Sequence, residues 1–209
     1  MYGFDENTSE GGGTRIPAGI VENVNLNDVL YEPLKADGSG DQVLKFLFSD
    51  GAGSTFTHIE FPIDFARLVE LAGGWGKNKE EADSFAKTEF EAQGERIKHV
   101  LGCFIPKDKC VFKASSFAEF ADGVIKLLGE NHRSTPVRIK TVYKKNSQYT
   151  TFPKRAFKPF IQLMSQPNKI VIDPKWDLVE APSPDSSDDI FMEKAVAPVG
   201  GDTTEESPW

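Results

Sequence analysis

Apolar residues recur along the chain at two spacings, and each spacing predicts one kind of element. In the first third, apolar runs with partial alternation predict strands within residues 16–34, 42–49 and 55–63. The turn-forming stretches ADGSGD and DGAGS separate these runs. The three strands are therefore expected to form a meander.

In the middle of the chain, apolar residues at three- and four-residue intervals predict helices. Asp64 is a suitable N-cap for FARLVELA, which GGWG ends. A second apolar face extends over residues 80–104, and a third helix begins after Ser115 or Ser116 and stops at Gly129. The meander is thus followed by a block of helices.

Two further strands are predicted at residues 136–144 and 148–152, on either side of the turn KNS. This order of elements resembles the oligonucleotide-binding (OB) fold, a five-stranded Greek-key barrel with its helix between strands three and four. The expected fold is β-rich α+β: a five-stranded OB-like barrel with an elaborated helical insert at about residues 64–130. The OB-like domain is expected to cover residues 15–175.

Both ends of the 209-residue chain have compositions that predict disorder. Residues 1–14 are polar and glycine-rich, and residues 176–209 are rich in Pro, Ser, Gly and acids. Such segments cannot bury enough apolar surface to offset the entropy of ordering them. We therefore expect one folded body between a disordered N-terminal segment and a disordered acidic tail.

The net charge of −8 is unevenly distributed. Residues 177–209 hold nine acids and one base, whereas residues 14–176 hold 20 acids and 23 bases. The average charge argues against a nucleic-acid partner, because phosphate neutralisation needs Lys and Arg. Residues 131–172, the basic window, contain nine bases and no acid, which indicates a phosphate-binding surface. The alternative for this window is a solvated surface loop.

Binding of single-stranded nucleic acid needs cations that follow the backbone and aromatic rings on which bases stack. The two late strands supply both cations and aromatic rings. The alternation of side chains along the strand is equally compatible with Tyr143 as a core residue. On strand three, Phe56 and His58 face outward if Ile59 faces the core. The residues predicted to bind nucleic acid are Lys45, Phe56, His58, Arg138, Lys140, Tyr143, Lys144, Lys145, Tyr149, Phe152, Lys154, Arg155 and Lys158.

Metal-binding and catalytic motifs are weak or absent in the sequence. His99, Cys103, Cys110 and His132 could supply four zinc ligands, but their spacing lacks the short C-x2-4-C element, and buried free thiols are the alternative. The sequence has no P-loop, G-x-S-x-G or H-E-x-x-H motif, and no G-x-G-x-x-G after a strand. We expect no enzyme, no cofactor and no resident metal.

The sequence also predicts where the protein resides. It has no run of 18 apolar residues, and its first residues resemble no signal peptide. Two cysteines are too few for a disulfide scaffold, which favours reduced thiols. The expected location is the cytoplasm, or the host cytoplasm if the protein is viral, without a membrane partner.

The acidic tail combines acids with isolated bulky apolar residues. Its last eight residues, DTTEESPW, place acids before an aromatic ring, and DSSDDIF repeats this pattern upstream. A docking peptide whose ring enters a partner's pocket has this composition. The residues predicted to bind a protein partner are Asp188, Asp189, Phe191, Asp202, Glu205, Glu206 and Trp209.

With this tail, the chain resembles the single-stranded DNA-binding proteins of podovirus-type phages, which have an OB body, an acidic tail and a terminal aromatic residue. The resemblance implies a protein that coats single-stranded DNA during replication, recombination and repair without strong sequence preference. It also implies a tail that contacts replication proteins, such as a polymerase or a helicase/primase, and competes with DNA for the basic groove. The alternative is a virion structural or assembly protein with a β-rich body and an interaction tail. The sequence does not show whether the ligand is DNA or RNA, or whether the protein forms a homo-oligomer.

Overall fold

The computed structural model describes residues 14–181, apart from Asn131, Asn146, Ala156 and the side chain of Lys107. Three helices lie between the third and fourth of the strands in this part of the chain, which confirms the β-rich α+β class and the position of the helical block. In chain order the elements are β1 (Gly19–Pro33), β2 (Gln42–Asp50), β3 (Thr55–Glu60), α1 (Phe65–Gly74), α2 (Lys79–Phe104), a 3-10 turn (Lys107–Lys109), α3 (Phe117–Leu128), β4 (Val137–Tyr143), β5 (Thr150–Thr151) and β6 (Ile161–Leu163).

The strands form one antiparallel sheet in the order β3-β2-β1-β4-β5, and β6 also pairs with β4. β1 is long enough to serve two neighbours, since residues 24–33 pair with β2 and residues 19–24 pair with β4. Its register shifts between Leu26 and Asp28, and Asn23 adopts a left-handed φ of 58° where the ladder with β4 is interrupted. These irregularities bend the strand, as bulges do. β6 has no counterpart among the predicted strands.

Local sequence sets the helix ends as predicted. Asp64 caps α1 and Ser116 caps α3, each accepting a hydrogen bond from a backbone N–H of the first turn. Asn78 and Glu81 form a capping box at the start of α2. α3 ends at Gly129, whose φ of +51° favours glycine. Among the helices in the described residues, none is both long enough and apolar enough to cross a membrane.

The core lies between the inner face of the sheet and helices α2 and α3. Phe46 and Phe48 of β2 stand on this inner face opposite His58 and Phe56 of β3. Phe56 and His58 are each only 4% exposed, whereas Ile59 lies on the outer face. The predicted outward orientation of Phe56 and His58 is therefore wrong, because the ladder places them on the same face as the phenylalanines of β2.

Phe152 is also part of the core, being 1% exposed. Its ring centroid lies 5.1 Å from that of Phe56 and 4.7 Å from that of Phe160. Aromatic pairs at such distances and angles add to the stability gained by burial. The predicted exposure of Phe152 to a nucleic acid is therefore wrong, because its ring packs among the aromatic rings of the core.

A buried polar network joins β3 to α2 and to the residue after β5. The Glu60 carboxylate accepts hydrogen bonds from Arg96 Nε (2.7 Å), Arg96 Nη2 (2.8 Å), Gln93 Nε2 (3.2 Å) and His58 Nε2 (2.9 Å). On the other side of its ring, His58 Nδ1 faces the N–H of Phe152 at 3.5 Å. Burial alone would raise the pKa of Glu60, but the bonds from Arg96 and His58 outweigh it and lower this pKa to about 2.

Replacing Glu60 with Gln is expected to remove part of the acid sensitivity of folding. The folded-state pKa of about 2 lies below the ordinary value of 4.5, so ionised Glu60 stabilises the fold above pH 4.5. This contribution, about 3 kcal/mol, is lost as the pH falls towards 2. Urea unfolding of E60Q should show a loss of about 3–5 kcal/mol at pH 7, because Arg96 is left without its partner, and a weaker dependence on pH between 5 and 3.

The matched control is Glu91→Gln, which removes an exposed carboxylate of α2 that lies 3.8 Å from Lys87. An exposed pair of this kind contributes less than about 1 kcal/mol, so E91Q should unfold as the wild type does. If E60Q kept the full pH dependence of the wild type, the network would not have the proposed role.

Candidate nucleic-acid interface

The basic window has no acid in its sequence, but acids from elsewhere surround it in space. Within the described residues, six of its nine bases form ion pairs, so most of its charge is already balanced. The pairs are Arg133 with Asp28 and Glu130, Arg138 with Glu22, Lys140 with Asp177, Lys154 and Arg155 with Glu89, and Lys158 with Asp173.

Arg138 and Lys140 are buried, although both alternate with the core residues of β4. A C-terminal segment, residues 164–178, covers this side of the strand and binds both side chains. Arg138 Nη1 donates to the carbonyl of Gln166 (3.1 Å), and Lys140 Nζ forms an ion pair with Asp177 Oδ2 (2.7 Å). Because Lys140 is only 3% exposed, the predicted exposure of these two cations is wrong.

The folded body extends beyond the predicted start of the tail at residue 176. Asp177 is buried against Lys140, and the carbonyl of Leu178 accepts a hydrogen bond of 2.7 Å from the N–H of Tyr143. Both residues therefore belong to the body. The partner-binding residues predicted in the tail lie outside the described residues: Asp188, Asp189, Phe191, Asp202, Glu205, Glu206 and Trp209.

Other predicted contact residues hold parts of the fold together. Lys45 donates to Glu32 (2.8 Å) and to two backbone carbonyls at the end of β1. Lys154 and Arg155 both bind Glu89 of α2, at 3.1 and 2.6 Å. These cations are partly or largely exposed, but their charge is shared with a carboxylate.

The β4–β5 hairpin brings together the predicted cations that have no ion pair in the described residues. Lys144 and Lys145 are exposed and have no carboxylate partner among the described residues. The N–H of Lys144 donates to the carbonyl of Tyr149 (3.0 Å), which closes the hairpin and places the 58%-exposed Tyr149 ring beside the lysines. The guanidinium of Arg15 lies 4.5 Å from the centroid of this ring, a cation–π contact.

We call Arg15, Lys144, Lys145 and Tyr149 the hairpin patch. It combines three cations, which can neutralise phosphates, with an exposed ring on which a base can stack. By contrast, the outer face of β2 and β3 carries no aromatic ring: its residues are Lys45, Leu47, Ser49, Thr55, Thr57 and Ile59. Of the two surfaces, the hairpin patch is the one with the chemistry of a nucleic-acid site.

Arg15 is a residue of the patch that the sequence did not single out. It reaches Tyr149 because its neighbours pair with β3: the N–H of Ile16 donates to the carbonyl of Thr55 (2.9 Å), and the N–H of Thr55 donates to Thr14 (2.8 Å). No local pattern signals a contact between residues so far apart in the chain. Trp176, a second exposed ring that the sequence did not single out, lies in a turn-forming stretch, DPKWD, which is typical of an exposed loop.

The four candidate zinc ligands do not meet. His99 stacks on Phe160, and the Cys103 and Cys110 thiols donate to backbone carbonyls of their own segments. Burial raises the pKa of Cys103 to about 12, which disfavours the thiolate that zinc binds. Within the described residues, no three His, Cys, Asp or Glu side chains form a group that could hold a metal ion.

Comparison of the chain with protein-family models, with curated proteins and with solved structures gives no match. The resemblance to single-stranded DNA-binding proteins therefore stays an expectation.

Replacing Lys140 with Met is expected to release the C-terminal segment. The substitution leaves the Asp177 carboxylate buried without its partner, at a cost of about 3–5 kcal/mol. Hydrogen exchange followed by mass spectrometry should show faster exchange in residues 170–178, which Lys140 otherwise anchors through Asp177 and the carbonyl of Val171.

Lys158→Met is the matched control, since it breaks a half-exposed pair with Asp173 on the same segment. Such a pair contributes about 1 kcal/mol or less, so K158M should keep the exchange pattern of the wild type. Equal protection in K140M and K158M would contradict the anchoring role of Lys140.

Proposed function

We propose that the chain is a non-catalytic protein that binds single-stranded nucleic acid, with single-stranded DNA as its ligand, through the hairpin patch. The observation that carries the proposal is the patch itself. Lys144 and Lys145 are exposed without a carboxylate partner, and beside them the Tyr149 ring is exposed under the Arg15 guanidinium. Cations next to an exposed ring are the elements that bind a single strand without reading its sequence.

The arrangement of the strands supports this proposal, because it is compatible with an OB-like barrel. The sheet order β3-β2-β1-β4-β5 leaves β3 and β5 at its ends, and a Greek-key barrel closes where these two strands meet. Ile16 bridges them, since its N–H donates to Thr55 of β3 and its carbonyl accepts from Thr150 Oγ1 (3.3 Å). His58 of β3 also faces the N–H of Phe152.

In an OB-like barrel, the loop between strands four and five belongs to the ligand surface. Here that loop is the β4–β5 hairpin, which carries Lys144, Lys145 and Tyr149. The loop at which an OB-like barrel would bind its ligand is therefore the loop that carries the unpaired cations. Helix α2, which follows β3, packs on β6, and its Arg96 binds Glu60 of β3. These contacts involve no residue of the β4–β5 hairpin.

The charge of the body predicts a modest affinity that depends on salt. Residues 14–181 contain 22 acids and 23 bases, so steering by net charge is weak. Each phosphate that is neutralised contributes about −0.7 to the slope of log K against log salt for a single strand. With the three cations of the hairpin patch, the expected slope is about −2.

The acidic tail is proposed to compete with the ligand for the same patch and to recruit replication proteins. Residues 182–209 hold seven acids and one base. Residue 182 is four residues from Leu178, whose carbonyl is bonded to Tyr143, the neighbour of Lys144. Because the acids follow Leu178 in the same chain, their competition for the patch would be intramolecular, which raises their effective concentration there.

Removing the two hairpin lysines tests the proposed function. Fluorescence anisotropy with labelled dT20 should show that K144A/K145A has a salt slope smaller by about 1.4 than the wild type, because two phosphate contacts are lost. Tyr149→Ala should weaken binding about 5- to 100-fold, the effect of losing one stacked base, with little change in slope.

The matched control is K113A/K126A, which removes two exposed lysines outside the patch and the same net charge. Its slope and affinity should equal those of the wild type. Parallel titrations with rU20 and with duplex DNA determine whether DNA, RNA or neither is preferred. If the wild type bound none of these at low salt, the proposal would fail, and the virion structural or assembly role would be the better interpretation.

Deleting residues 182–209 is expected to tighten the binding of dT20 several-fold at low salt. The advantage should shrink as salt screens the tail from the patch. A variant that keeps the tail but converts its seven acids to amides should behave as the deletion does, since charge and not length makes the tail a competitor. Unchanged or weaker binding in both variants would contradict the competition.

A further inference from the structure

Two aromatic side chains outside the hairpin patch are among the most exposed in the described part of the chain. Trp176 is 75% exposed and Phe157 is 90% exposed. Lys175 Nζ lies 5.0 Å from the centroid of the Trp176 ring, a cation–π contact. The pair repeats the arrangement of Arg15 over Tyr149.

Trp176 is held in place by its neighbours in the chain. The carbonyl of Asp173 accepts hydrogen bonds from the N–H groups of Trp176 (3.0 Å) and Asp177 (2.8 Å), and Asp177 Oδ2 accepts from the N–H of Asp173 (2.7 Å). Asp177 is anchored in turn by Lys140. The turn is therefore fixed on its inner side, and the indole is the part that it presents to solvent.

The turn lies next to the hairpin patch. Leu178, two residues after Trp176, is bonded through its carbonyl to the N–H of Tyr143, and Lys144 follows Tyr143. Three chain steps, two from Trp176 to Leu178 and one from Tyr143 to Lys144, plus this one backbone contact put the Cα of Trp176 within about 17 Å of that of Lys144.

Phe157 is joined to the same turn by an ion pair. Its neighbour Lys158 donates to Asp173 Oδ2 at 2.9 Å, and Asp173 is the first residue of the turn. Connected segments thus carry exposed rings with cations beside them: Tyr149 with Arg15, Trp176 with Lys175, and Phe157 with its neighbour Lys158.

We propose that Trp176, with Phe157, forms a second stacking position for the same single strand that the hairpin patch binds. The inference rests on the proposed function and extends it from one base to a path of several. Cations beside exposed rings suit a single strand, whose backbone carries phosphates and whose bases can stack.

The fluorescence of Trp176 tests the proposal without changing the site. Of the three tryptophans, Trp75 and Trp209 can be replaced by Phe, which leaves Trp176 as the single emitter. Titration of W75F/W209F with dT20 should quench this emission, with saturation at the concentration where anisotropy saturates. The control W176F/W209F, which leaves Trp75 at the end of α1, should show no quenching.

The length of the strand gives a second test. Site sizes of OB folds are about 4–16 nucleotides, so dT4 should occupy the hairpin patch alone, whereas dT20 should also reach Trp176. W176A should therefore weaken binding of dT20 about 5- to 100-fold and leave dT4 unchanged. W75A, which removes a similarly exposed indole, is the control.

The possible failures can be told apart. If the wild type binds neither oligonucleotide, the proposed function fails. If it binds dT20 but the emission of Trp176 does not change and W176A binds as the wild type does, the second stacking position is overturned while the hairpin patch stands.

Discussion

The buried ion pair between Lys140 and Asp177 is the interaction on which the position of the C-terminal segment, and with it that of Trp176, depends. Two charges removed from water are tolerated only when they satisfy each other with good geometry, and the distance of 2.7 Å between Nζ and Oδ2 meets this condition. The pair fixes the C-terminal segment on β4. It thereby holds the turn that exposes Trp176.

The same pair shows why charge along a sequence differs from charge on a surface. Residues 131–172 contain no acid, yet most of their bases have carboxylate partners contributed by other parts of the chain. Arg138 and Lys140 are structural residues in consequence, and the unpaired charge concentrates on the β4–β5 hairpin. A smaller patch implies fewer phosphate contacts and a shallower dependence on salt than nine free bases would give.

The polar network around Glu60 has a corresponding role at the end of β3. Arg96 of α2 and His58 of β3 hold the carboxylate in its ionised form, and His58 faces the backbone after β5. A fully satisfied buried network of this kind specifies one arrangement of its elements, because any shift would leave a charge without a partner. It connects the helical block to the two strands whose approach would close a barrel.

The sequence by itself determined the order of the elements apart from β6, the ends of the helices and the hairpin that carries Lys144, Lys145 and Tyr149. These features depend on local spacing, capping residues and turn residues, so neighbouring positions are enough to predict them. It did not determine which face of β3 is buried, since both Ile59 and Phe56 are apolar and only the pairing with Phe48 decides between them. Nor did it show that Asp177 would neutralise Lys140 or that Arg15 would reach Tyr149. Only the tertiary structure decided these contacts, because each of them joins residues that are far apart in the chain and that the fold brings together.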